Sequence, residues 1–93
     1  MSARWAGIAK LQEEMGELAA VLGKLHAYPD GNHPDGAGPL LDRLHDEMAD
    51  VHAALTFFML TNDLDSARLR ARCDKKLATF FAWHQDEGMT GTK

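Results

Sequence analysis

Apolar residues recur in this chain at steps of three and four in three separate stretches, and that spacing fits one backbone conformation, the α-helix. Ile8, Leu11, Met15, Leu18, Leu22 and Leu25 form the first stripe. Leu41, Leu44, Met48, Val51, Leu55 and Phe58 form the second, and Leu69, Cys73, Leu77 and Phe80 the third. No apolar–polar alternation of useful length would support a strand. Between the first two stripes, residues 28–38 read YPDGNHPDGAG, a run of turn formers with no apolar period. Such a run is a loop.

Local signals place the helix ends. Ser2 is an N-cap type, and the first helix is expected to run from there to about His26. Pro39 suits the first turn of the second helix, which should end near Asn62. A short turn over 61–65 leads to the third helix, with Gly88 as its C′ residue and a disordered tail over 88–93. The 93 residues make one all-α domain, 1–93, in which a helix hairpin is followed by a C-terminal helix. From Ala53 to Leu60 the second helix is apolar nearly all round, with Phe57 pointing away from the Leu55 stripe. Three helices of this length cannot enclose it, so a helical-bundle homo-oligomer is expected.

Composition removes several classes of function. Fourteen acidic residues against ten basic ones give a net charge of −4, unsuited to binding a nucleic acid polymer. A lone cysteine, Cys73, has no partner for an internal disulfide. The N-terminus lacks the apolar run of a signal peptide, and the most apolar stretch is too short to span a membrane. The expected location is the cytoplasm.

A weak internal repeat is the most informative feature for function. Residues 11–22, LQEEMGELAAVL, resemble residues 44–55, LHDEMADVHAAL, at an offset of 33. Each copy carries carboxylates at i and i+3, Glu14 with Glu17 and Glu47 with Asp50, adjacent on one helix face at the edge of the apolar stripe. If the two helices fold back antiparallel, facing residues share one sum of residue numbers. Glu14 with Asp50 and Glu17 with Glu47 both give 64, and the midpoint, Asn32, falls in the loop. Four carboxylates therefore converge at one level of the hairpin, where they repel one another unless a cation neutralises them. Oxygen donors without clustered cysteine or histidine suit Mg²⁺, with Mn²⁺ as a substitute, better than zinc.

Glu13-Glu14-Met15-Gly16-Glu17 followed by Glu47-Met48-Ala49-Asp50 resembles the EExxE…ExxD pattern of the MazG-like all-α nucleoside triphosphate pyrophosphohydrolases. The resemblance spans roughly Trp5 to Trp83. One departure is the spacing, since 29 residues separate Glu17 from Glu47, longer than the family pattern, and the excess lies in the loop. The resemblance implies that Glu14, Glu17, Glu47 and Asp50 bind Mg²⁺. It also implies cleavage of an NTP or dNTP between the α- and β-phosphates, giving a monophosphate and pyrophosphate. It makes Glu13 or Glu14 the candidate activator of water, and it implies a dimer or a dimer-based tetramer.

Phosphates also call for cations. Lys76 flanks the third stripe, and Lys10 stands one turn before Glu14, so both are candidate phosphate contacts. Trp83 is a candidate platform for a base, against the ordinary alternative of a packed aromatic. Two other readings fit the acidic helices. One is an enzyme resembling phosphoribosyl-ATP pyrophosphohydrolase, which the Pro/Gly-rich loop fits poorly. The other is a non-catalytic helical module for dimerisation or nucleotide sensing.

Overall fold

The structure is a computed structural model that describes the backbone of residues 5–90 and the side chains of 5–85. Three helices follow in order: α1 (Ile8–Ala27), α2 (Leu40–Thr61) and α3 (Ser66–Thr90). Among the described residues there is no strand. The chain divides into two compact units, Met1–Asp63 and Leu64–Lys93.

The first unit is the α1–α2 hairpin. α1 begins at Ile8, six residues later than the sequence suggests, and Ser2 lies outside the described residues. Trp5 (φ 61°) and Gly7 (φ 89°) turn the backbone left-handed just before the helix. Their placement follows from a long-range tie. The Ala6 N–H donates to Asn62 Oδ1 at 3.1 Å, and Asn62 Nδ2 donates to the Ala6 carbonyl at 2.9 Å. The same Nδ2 donates to the Phe58 carbonyl at 2.8 Å, so one amide holds the start of α1 against the last turn of α2. Trp5 stacks on Phe58 with ring centroids 6.1 Å apart. At Gly7 only glycine fits, because a Cβ would stand 2.9 Å from the Phe57 ring and the residue has a positive φ.

The loop is ordered by its own polar side chains. Asp30 accepts the Asn32 N–H at 3.0 Å, and Asp35 accepts the Ala37 N–H at 3.1 Å, both turns of the aspartate type. Asp35 also meets Lys24 of α1 at 3.3 Å and Arg43 of α2 at 3.1 Å. His33 Nδ1 lies 3.3 Å from the same carboxylate, but that nitrogen accepts the Asp35 N–H. It has no proton to offer, so this contact is not an ion pair. Pro39 stands just before α2 as its N-cap, and Asn62 ends the helix where expected. Asp63 takes the left-handed C′ position (φ 53°) that glycine usually fills.

Packing splits each apolar stripe in two. Leu11, Leu18, Val21 and Leu25 of α1 and Leu44, Val51, Ala54 and Phe58 of α2 are half-buried or buried, and Leu40 is fully buried. Ile8, Met15 and Leu22 remain exposed, as do Leu41, Met48 and Leu55. The hairpin contact thus runs one residue round from the stripe's centre, and the position it takes up is that of Glu14 and Glu47, both half-buried. Two helices can cover only one side of each other, so the second half of a wide stripe stays open.

The second unit is α3. Asp65 Oδ1 accepts the Arg68 N–H at 3.1 Å and so caps the first turn. The helix runs through Gly88, expected as its stop, to Thr90, and 91–93 lie outside the described residues. Leu69, Leu77, Phe80, Phe81 and Trp83 are exposed, as is Cys73. No helix among the described residues is long and apolar enough to cross a membrane.

Candidate metal centre

The hairpin register places the acidic pairs. Gly7 meets the Phe57 ring, and that pair has the residue-number sum expected for facing positions. Glu14, about two turns beyond Gly7, therefore comes opposite Asp50. Glu14, Glu47 and Asp50 each offer one carboxylate oxygen, all within 4.8 Å of one another. Both helices contribute because both repeat copies present their carboxylates in the same phase relative to the contact face.

Two of these oxygens stand out chemically. Glu14 Oε1 and Glu47 Oε1 are buried and find no hydrogen-bond partner among the described residues. A buried carboxylate oxygen has lost water and needs a donor or a cation in its place. Burial raises the Glu14 pKa first, and the charges of Glu17 and Asp50 raise it further, with Lys10 opposing. A carboxyl whose pKa rises on folding stabilises the fold only as pH falls through the raised value. Ionised Glu14 therefore costs stability, and a cation at the triad would offset that cost. Three carboxylates grouped in this way could hold a hard divalent ion such as Mg²⁺.

Beside the triad lies a cleft of about 360 Å³ lined by Lys10, Glu14, Asp50, Ala53, Ala54 and Phe57. One end is charged and the other apolar. Lys10 Nζ lies 2.9 Å from Glu13 Oε1 and 3.8 Å from Glu14 Oε2. Glu13 itself is exposed. Glu17 places no oxygen within the set of three, although its charge bears on Glu14.

Lys76 and Trp83 belong to α3 in the second unit. There Lys76 Nζ sits 5.3 Å from the Phe80 ring centroid, and Phe80 and Trp83 lie 5.5 Å apart. The apolar wall of the cleft, Ala53, Ala54 and Phe57, was not singled out from the sequence as part of the site. The constant-sum rule held the signal, because Lys10 pairs with Ala54 and Gly7 with Phe57 in the register that joins Glu14 to Asp50. Compared with protein-family models, curated proteins and solved structures, the chain gives no match.

Proposed function

We propose that this chain is a Mg²⁺-dependent nucleoside triphosphate pyrophosphohydrolase of the MazG-like type, converting an NTP or dNTP to the monophosphate and pyrophosphate. The observation that carries the reading is that Glu14 of α1 and Glu47 of α2, each with a buried oxygen that finds no hydrogen-bond partner among the described residues, each bring a carboxylate oxygen within 4.8 Å of one from Asp50. Glu14, Glu47 and Asp50 would hold the ion, with Glu17 reaching it by a change of rotamer. An ion held there would offset the charge of the substrate's phosphates. Glu13, exposed and paired with Lys10, or Glu14 would orient or deprotonate the attacking water. Lys10, which lines the cleft, would contact a phosphate of the substrate. The protein works as a homodimer or a dimer of dimers in the cytoplasm.

The test joins stability to turnover. Melting temperature with and without Mg²⁺ is measured beside pyrophosphate release from a panel of NTPs and dNTPs, for wild type and Glu47→Gln. Wild type should be stabilised by Mg²⁺ and should hydrolyse at least one nucleotide. Glu47→Gln should be as stable as wild type without Mg²⁺, or slightly more so, because a like-charge contact is relieved. It should lose the Mg²⁺ stabilisation and about a hundredfold or more in rate, since even outer partners of a metal ligand cost up to about that much. Clear destabilisation with unchanged activity would mark a structural acidic cluster. A wild type that binds Mg²⁺ and nucleotide without turnover would mark a sensing module.

A further inference from the structure

Lys10 is placed to do more than contact a phosphate. Among the described residues it is the one basic side chain lining the cleft. It bridges Glu13 at 2.9 Å and Glu14 at 3.8 Å, and it is more than half exposed, so its four-carbon stem is free to swing. The two Glu14 oxygens divide the work. Oε2 faces the Lys10 ammonium, while Oε1 is buried without a hydrogen-bond partner among the described residues. A divalent ion held at Oε1 would pull on the carboxylate that Lys10 also uses, and two cations cannot share it without repulsion.

We propose that Lys10 is a stand-in cation, released from Glu14 when the metal binds and handed to the phosphate chain of the ligand in the cleft. This rests on the metal reading above and deepens it by setting an order, metal first and phosphate second. Without the ion, the negative charges of Glu13, Glu14, Glu17 and Asp50 hold the ammonium and repel a polyphosphate. With the ion in place, that hold weakens and the ammonium, one turn from the triad, becomes the first cation a phosphate meets. The neutral wall of Ala53, Ala54 and Phe57 then takes the uncharged part of the ligand.

The experiment uses the full chain and two probes in calorimetric titrations: Mg²⁺ alone, and inorganic triphosphate in saturating Mg²⁺. Lys10→Gln should bind Mg²⁺ about twofold more tightly than wild type, the scale of an exposed i,i+4 ion pair. It should bind triphosphate about tenfold or more weakly, the scale of a hydrogen bond between charged groups. Lys10→Arg, which keeps the charge, should stay near wild type in both titrations. Mg²⁺ binding by Lys10→Gln no tighter than wild type would overturn the stand-in role, as would unchanged triphosphate affinity. Lys10→Arg behaving like Lys10→Gln would overturn it too, because charge would not be what matters. A wild type that binds no Mg²⁺ overturns the metal reading and this proposal with it, an outcome distinct from the other three.

Discussion

Asp35 shows how one side chain can fasten a loop that no apolar period organises. Its carboxylate accepts the Ala37 N–H and meets Lys24 and Arg43, one cation from each helix of the hairpin. The Ala37 hydrogen bond lowers its pKa most, burial opposes it next, and Lys24 and Arg43 together bring it far below the ordinary aspartate value of 3.8. A depressed pKa gives stability that is full above the unfolded value and lost as pH falls through the folded one. The hairpin should therefore begin to lose this contribution below about pH 4. Asp35→Asn should melt a few degrees lower at pH 7 and show a flatter acid limb, read by circular dichroism across pH. An acid limb identical to wild type would show that Asp35 does not fasten the loop. The sequence marks 28–38 as loop, but Lys24 and Arg43 carry no periodic signal tying them to Asp35. The internal repeat paired Glu14 with Asp50 and Glu17 with Glu47, whereas the packed hairpin groups Glu14, Glu47 and Asp50 and leaves Glu17 outside that set.

At the scale of elements, the helix ends divide into those set locally and those set from afar. Pro39 and Asn62 act on their own helix, and both were readable from residue type. The start of α1 was not, because it is fixed by Asn62, 56 residues away, through both polar groups of Ala6. Ser2 looks like an N-cap by type, yet a capping preference of about 1 kcal/mol is no larger than one such tie. The end of α3 was misread for a related reason, since glycine in a helix costs only about 1 kcal/mol and permits a stop without forcing one. Asn62→Ala removes two hydrogen bonds to Ala6 and leaves its amide groups part-buried, so it should cost about 1–3 kcal/mol. Chemical denaturation gives that number directly. Loss should be accompanied by quenching changes at Trp5, which stacks on Phe58 beside the tie. A variant within a few tenths of a kcal/mol of wild type, with Trp5 fluorescence unchanged, would remove Asn62 from this role.

For the molecule as a whole, the exposed half of each stripe has a pattern of its own. Ile8, Met15 and Leu22 stand seven residues apart on α1, and Leu41, Met48 and Leu55 repeat them on α2 at the offset of 33. Antiparallel helices whose contact faces are equivalent are related by a twofold axis perpendicular to their common plane. Residues one step round from the contact face on each helix therefore emerge on the same side of the hairpin. The six form one apolar face with heptad spacing, the arrangement that packs against further helices. Phe57, which points away from Leu55, belongs to the cleft and not to this face. The hairpin by itself leaves the six-residue face to water, and we expect that face to be closed by a second copy. The sequence showed α2 to be apolar nearly all round from Ala53 to Leu60, but only packing showed which half of each stripe turns inward. Met48→Asp sets a charge in the middle of the face and should convert a dimer at micromolar concentration to monomer while the hairpin stays helical. Sedimentation velocity of wild type and variant decides it. A wild type that is monomeric and fully folded at that concentration would overturn the dimer, and a variant that dissociates yet still binds Mg²⁺ would show that the metal centre is complete within one hairpin.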